Sequence, residues 1–394
     1  MTRLSRSPET TPVVVSCCRT AIGRSDVNKG VFRKVRGDEL AALVVAEAVA
    51  RGRVVPECIE DVVVGVTQQR AELGGNVART ISMLAGLPFT VAASTTNRLC
   101  GSSLQGLSQA CHSIMAGAED VHVVAGVEHM QHLPMNSDIN FHPQAFSQSS
   151  RAVLSMGLTA EYLASSRGIS RKLQEEYALE SHRRASQAVD NSLFENEIVQ
   201  CSGLNESGVL SVIERDQSIR HDASLAAMEK LNPVFLPKLG SVTAATSAPM
   251  SDGAAAMVVM SEATAQRHEL TPLVRVLCTA VVGVSPALMG MGPVYAIEKI
   301  LHRSGVQLQD IEILEINEAF AAQAIACIED LKVDHDRVNV RGGSLAIGHP
   351  LGASGVRIST TLIHAMRDHQ ARLGLAAMCI GLGQGIAVIF ESME

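Results

Sequence analysis

Residues 97–126 read NRLCGSSLQGLSQACHSIMAGAEDVHVVAG. Leu104, Leu107, Cys111 and Met115 fall close to a helical period, which predicts a helix from Gly101 to Ala116. Val121–Gly126 is a short apolar run and reads as a buried strand. The stretch is therefore a turn, a helix and a strand in succession. The succession recurs near the other end of the chain. A Gly-rich turn, Gly348–Gly355, leads into a predicted helix around Val356–Met366 and then a closing strand, Leu375–Gly381. Ile59-Glu60-Asp61 and Ile311-Glu312-Ile313 lie at the same separation as Cys100-Gly-Ser-Ser and Gly352-Ala-Ser-Gly, roughly 250 residues. Two anchors at one offset point to a duplicated unit. Pro12–Cys18, Val62–Val66 and Ile311–Ile316 read as further strands, and Asp38–Ala50 and Tyr295–Arg303 as helices. Strands alternating with helices predict an α/β fold with a largely parallel sheet.

The chain has 394 residues, enough for two domains or one large one with ample core. With 46% hydrophobic and 19% charged residues it is not a disordered chain. No apolar run reaches the roughly 20 residues that span a bilayer. The net charge of -7 argues against a nucleic-acid surface, yet leaves room for an anionic ligand held by a local basic contact. The 9 cysteines are odd in number and none has CxxC spacing, which predicts reduced thiols and no metal site. The opening MTRLSRSPETTP lacks the apolar segment of a secretory signal, and ESME carries no targeting tripeptide. The cytoplasm is the expected location.

Residues 1–11 read as a polar, frayed tail. Residues 128–250 differ from both halves, being rich in His, Ser and Met. Their one clear helix starts with Ser170 as N-cap and runs through Leu173, Tyr177, Leu179 and His182. An insertion of this length suggests a lid, a substrate loop or an oligomer contact; the alternative is a mobile surface excursion.

Four segments can carry chemistry. Cys100 stands where a turn meets a helix N-terminus, whose amides stabilise a thiolate; on the residues alone an inert buried thiol is an equal reading. His349 sits inside GGSLAIGHPLGASG (342–355), where it could polarise a carbonyl or activate a thiol. The alternative there is a plain tight turn or phosphate loop, though not a Walker motif. Cys379 lies at the C-terminal end of a strand, where open α/β sheets place ligand groups. Asn317, in Asn317-Glu318-Ala-Phe-Ala, could hold a water or carbonyl, or simply cap a helix.

Together these segments closely resemble the thiolases, in particular degradative 3-ketoacyl-CoA thiolases. The motifs are NRLCGSS, NEAFA, GGSLAIGHPLGASG and MCIGLGQG, in order from about Val13 to Phe390. Within the insertion, GVEHM, FHP, MGLTAEYLA and GISRKLQEEYALESHRRA look most like the β subunit of bacterial fatty-acid oxidation complexes. The resemblance implies the thiolase fold: two duplicated α/β domains, each a mixed five-stranded sheet, in five αβαβα layers with a substrate-loop insertion. It divides the chain into a tail (1–11), an N-terminal domain (12–267, containing the insertion at about 128–250) and a C-terminal domain (268–394). It implies Cys100 as acyl-accepting nucleophile, His349 as base, Cys379 as acid/base, and Asn317 with His349 as one oxyanion site. The backbone amides of Cys100 and Gly381 would form the other. Arg220 and Met156 match contacts to coenzyme A and the thioester region.

No cofactor is implied, since coenzyme A is a substrate. The implied partners are a second copy, as a dimer or dimer of dimers, and a hydratase/3-hydroxyacyl-CoA dehydrogenase α subunit. Three positions depart from the family pattern. Ala248 stands where many members have a pantetheine-contacting Ser, with Ser247 as a candidate substitute. Arg341 replaces the usual Asn before the Gly pair. Ser155 replaces the His of biosynthetic members, which favours the degradative branch. The alternatives are a condensing acetoacetyl-CoA thiolase, a decarboxylating ketosynthase, which the catalytic Cys379 disfavours, and a non-catalytic acyl-CoA-binding protein.

Overall fold

A computed structural model describes residues 6–135, 137 and 139–393. One continuous sheet runs through the molecule. From one edge its main strands are Ile313–Ile316, Leu373–Ile380, Gln384–Ser392, Val274–Gly283, Pro12–Thr20, Ser251–Ser261, His122–His129, Asp61–Gly65 and Ala92–Thr96, and two-residue strands at Gly23–Arg24 and Ile198–Val199 pair off this path. The two halves join at the centre through only two register pairs, Val13 with Arg275 and Val14 with Val274.

The sheet is mixed rather than largely parallel. Asp61–Gly65 runs parallel to both its neighbours, and Ile313–Ile316 parallel to Leu373–Ile380. The central strands are antiparallel. Gln384–Ser392 follows Leu373–Ile380 after a three-residue turn, too short for the crossover a parallel pair needs.

The first half supplies the expected five strands, but the second supplies four. The fifth place is reduced to a single bridge between Leu314 and Val338. Beyond it, the Asn339 side chain stands in for a strand. Its Oδ1 accepts from Ile316 N at 2.9 Å and its Nδ2 donates to Ile316 O at 2.9 Å. The chain then turns away into the Gly-rich loop that carries His349.

Two helices of 15 residues, Ser102–Ala116 and Ser354–Asp368, pack against each other between the sheet halves. They keep the offset of about 250 residues read from the sequence. Leu104, Leu107, Val356 and Ile358 join residues of both halves, such as Val124, Met257, Met378 and Val388, in one buried cluster. Gly37–Arg51 covers the outer face of the first half, and Gly292–Ser304 that of the second. These are the five expected layers. The crossing is tight: a Cβ on Gly355 would stand 2.5 Å from Leu104 N.

The insertion contains two long helices, not one. Ser170 caps Arg171–Asp190 as expected, accepting from Leu173 N at 3.2 Å. Met156–Arg167 carries no apolar stripe in the sequence, because its buried face is Gly157, Thr159, Ala160, Glu161, Leu163 and Ala164, mostly small or polar. The insertion is not a mobile excursion at its root. Arg19, fully buried, donates to Glu197 at 2.6 Å and to both oxygens of Asp216 at 2.7 and 2.9 Å. These contacts pin it to the first strand.

Of the expected frayed tail, residues 1–5 lie outside the described residues. The rest is held: Pro8–Thr10 forms a short turn, Arg6 donates to Leu277 O, and Thr11 O accepts from Glu262 N. Among the described residues no helix is long and apolar enough to cross a membrane.

Candidate active site

Each chemical group sits at the end of a sheet element or the start of a central helix. Cys100 closes a tight turn directly before Ser102–Ala116. Leu99 has φ 47, and Asn97 Oδ1 accepts its N–H at 2.8 Å, so the strained residue directly before the thiol is held in place. Cys379 lies one residue from the end of its strand, and Gly381 follows in the turn. Asn317 directly follows Ile313–Ile316. It does not cap a helix, because Phe320 is the residue preceding Ala321–Leu331. His349 lies between two short helical turns at the mouth of Ser354–Asp368.

The structure brings Cys100, Cys379 and Gly381 together, and it pairs His349 with Asn317. The amides of Gly381 and Cys100 are directed at the Cys100 thiol. Burial pushes that thiol up to about 11, the buried Glu128 carboxylate adds to the rise, and the two amides oppose it. Cys379 lies within electrostatic reach of Cys100, and burial holds its thiol well above the usual range. Burial pulls His349 down to about 3, with the Arg357 guanidinium contributing. The resting site therefore holds neutral thiols and a neutral imidazole, not a thiolate–imidazolium pair.

Hydrogen bonds fix the His349 tautomer. The Ser354 hydroxyl donates to Pro350 O at 3.1 Å, so it accepts from His349 Nδ1–H at 2.7 Å. Nε2 is left with its lone pair, 3.5 Å from Asn317 Nδ2. Asn317 is oriented in turn: Arg357 donates to Ser344 Oγ, which donates to Asn317 Oδ1 at 2.6 Å. Ser251 Oγ accepts the His349 backbone N–H at 3.1 Å. The result is a base nitrogen and an amide donor side by side.

Met156 Sδ lies beside Gly381, and a Cβ there would stand 3.5 Å from it. Met156 also packs with Ala160, Val242, Met289, Phe320 and Cys379 in a small apolar cluster. Ser247 is half-buried and donates to Thr243 O at 2.8 Å, so its hydroxyl can offer a ligand only an acceptor. It is thus a poor replacement for the donor missing at Ala248. Arg220 is exposed; its amide donates to His182 Nδ1 at 3.2 Å, and nothing ties its guanidinium to the thiols. Arg341 is buried away from them, donating to Leu193 O at 2.8 Å and pairing with Asp368.

The chain matches two family descriptions in succession: thiolase, N-terminal domain, over residues 12–263, and thiolase, C-terminal domain, over residues 270–392. The chain belongs to the thiolase family. It is 48% identical over 384 residues to a 3-ketoacyl-CoA thiolase of Photobacterium profundum, covering 96% of this chain and 98% of that protein. It resembles the crystal structure of human mitochondrial 3-ketoacyl-CoA thiolase with a TM-score of 0.89 at 33% identity, covering 98% of this chain and 100% of the other. It also resembles a Bacillus anthracis acetyl-CoA acetyltransferase with a TM-score of 0.88 at 35% identity, covering 97% and 99%.

Sequence reasoning missed the residues that orient this thiolase site: Ser354, Ser344, Ser251, Arg357 and Glu318. Glu318 is buried and accepts from Tyr177 Oη at 3.0 Å, Ser181 Oγ at 2.8 Å, Asn339 Nδ2 at 2.8 Å and Leu345 N at 3.1 Å. It thereby fastens the insertion to the loop leading to His349. Its place directly after Asn317 was the available signal.

Among the described residues one cluster elsewhere has metal-ligand chemistry: Glu72, His129 and His132. The two rings are stacked, with centroids 3.7 Å apart, and each Nε2 faces a backbone carbonyl, of Phe32 or Arg33. A single ion cannot lie in the planes of two stacked rings, so the cluster reads as a hydrogen-bonded brace.

Proposed function

We propose that this thiolase cleaves 3-ketoacyl-CoA with coenzyme A, giving acetyl-CoA and an acyl-CoA shortened by two carbons. The observation that carries the reading is the nearness of two thiols, Cys100 and Cys379, supported by a neutral His349 held by Ser354 with its Nε2 beside Asn317. Cys100 Sγ attacks the keto carbon as its proton passes to His349 Nε2. The oxyanion is held by amide donors, the Asn317–His349 side and the Cys100–Gly381 backbone each serving one half-reaction. The bond between the keto carbon and its α carbon breaks. The electron pair leaves on the acetyl-CoA enolate, which takes the Cys379 proton at carbon. In the second half, coenzyme A gives its thiol proton to Cys379 and attacks the acyl thioester, and Cys100 leaves with a proton returned from His349.

No resident cofactor or metal takes part in this scheme. In this reading Met156 lines the thioester region, and Arg220 and Ser247 contact coenzyme A, Ser247 only as an acceptor. The chain is proposed to act in the cytoplasm as a dimer or dimer of dimers, with its domains divided near residue 267. A hydratase/dehydrogenase α subunit fits as the partner that supplies the ketoacyl substrate.

The test is CoA-dependent loss of 3-ketoacyl-CoA absorbance, together with an acyl mass shift on Cys100. Cys100→Ser retaining full turnover overturns the mechanism. The likeness to an acetyl-CoA acetyltransferase favours a second reading, short-chain condensation. Four-carbon turnover equal to or better than long-chain turnover selects that reading.

A further inference from the structure

Glu128 is a fully buried carboxylate that no step above uses. Its Oε2 accepts from Thr67 N at 3.1 Å and Gly352 N at 2.9 Å, and its Oε1 accepts from Gln68 N at 3.0 Å. Three amide donors call for an acceptor-only group, which a carboxylate is. Both ends of this clamp lead to the reacting residues. Thr67 O accepts from Asn97 Nδ2 at 3.1 Å, and Asn97 holds the turn before Cys100. Gly352 lies three residues after His349, in the same loop. The space between is closed: a Cβ on Gly126 would stand 2.5 Å from Gly352 O, and one on Gly352 would stand 2.9 Å from Gly65 O.

The duplication shows why a carboxylate stands there. At the offset of about 250 residues, Gly352 matches Cys100 and Glu128 matches Ile380. At one junction, the Gly381 amide of the second half meets the Cys100 thiol of the first. At the matched junction, Glu128 of the first half meets the Gly352 amide of the second. The second junction has lost the thiol and gained a clamp.

We propose that Glu128 is a positioning residue that locks the His349 loop onto the Cys100 turn and, seated between them, sets the surroundings of the Cys100 thiol. This deepens the thiolase reading and rests on Cys100 being the nucleophile. Electrostatics agree: the Glu128 carboxylate adds to the rise of the thiol, while burial raises Glu128 itself and the amides it accepts from oppose that rise. Cys379 also lies within electrostatic reach of Cys100.

The test compares Glu128→Gln and Glu128→Asp with the wild type in the full-length protein, after thermal melts establish the folded fraction. Two readouts are taken: steady-state kinetics, and the pH dependence of iodoacetamide alkylation at Cys100 followed by mass spectrometry. Glu128→Gln removes the charge and turns an NH2 group toward at least one amide. It is expected to lower kcat about tenfold with KM nearly unchanged. It also moves the alkylation midpoint down by about half a pH unit or more. Glu128→Asp keeps the charge and loses the reach, so kcat falls while the midpoint stays. A Glu128→Gln protein with wild-type kcat, or with an unmoved midpoint, overturns the proposal. So does a loss of activity that only follows the folded fraction. Wild-type turnover tests the thiolase reading separately, and alkylation needs no turnover.

Discussion

Ser354→Ala is the sharpest probe of how the base is prepared. The hydroxyl is spoken for in both directions, donating to Pro350 O and accepting from His349 Nδ1–H. Ser354 and His349 are both buried, so solvent does not replace the lost acceptor. Leaving a buried donor unmet costs about 1–3 kcal/mol. That penalty falls on the one tautomer that leaves Nε2 free to take the Cys100 proton. The other tautomer, protonated at Nε2 beside Asn317 Nδ2, becomes competitive. At 1.36 kcal/mol per factor of ten, kcat/KM falls about 5- to 150-fold. The assay is the initial rate of CoA-dependent 3-ketoacyl-CoA loss over a substrate series, with urea unfolding as a control for stability. The pH profile of Cys100 alkylation stays as in the wild type, because Ser354 acts on the imidazole and not on the thiol. A variant within about twofold of wild-type kcat/KM refutes the tautomer argument.

The raised thiol makes Cys100 alkylation climb by about tenfold per pH unit between about pH 7 and pH 10; a plateau below about pH 9 contradicts a midpoint near 11. With His349 pulled down to about 3, the free enzyme shows no imidazole limb in kcat/KM above about pH 5, checked by rates across that range. Asp216→Ala leaves the Arg19 guanidinium buried with half its partners gone, and lowers stability in urea by about 3–5 kcal/mol. Gly126→Ala drives a methyl against Gly352 O and costs about 1–3 kcal/mol in the same measurement.

What the sequence made legible was local and periodic. The helix at Ser102–Ala116, its counterpart at Ser354–Asp368 and the strands beside them follow from apolar spacing, and the repeat from two anchors. The chemical residues stood out because cysteine and histidine among glycines at element ends are unusual company. What stayed hidden was of two kinds. Met156–Arg167 buries Gly, Thr, Ala and Glu, so its burial leaves no apolar stripe. The fifth strand of the second half is missing because one side chain, Asn339, satisfies Ile316, and no period records that exchange. The serines that orient His349 and Asn317 look like ordinary turn residues. Their role exists only when segments about 30 to 100 residues apart meet, as Ser344 meets Asn317 and Ser251 meets His349.

The neutral resting pair explains why the site needs so much bracing. A preformed thiolate would need only to be reached by substrate. In the proposed mechanism the proton leaves Cys100 during attack, so donor, acceptor and carbonyl must be aligned at once. Cys100 and His349 come from different halves of a duplicated sheet whose central strands share only two register pairs. Strand pairing alone therefore does little to fix the loops to one another. The alignment is carried by buried polar contacts across the seam: Glu128 to Gly352, Ser251 to His349, and Ser103 Oγ to Val356 N at 3.0 Å. Each joins a residue of the first half to the helix mouth that bears the base. The glycines lining that seam let the backbones close to such bonding distance. A methyl at Gly126 would stand 2.5 Å from Gly352 O, and one at Gly355 would stand 2.5 Å from Leu104 N. Close packing here sets the reach of the imidazole, and the reach of the imidazole sets the rate of proton transfer.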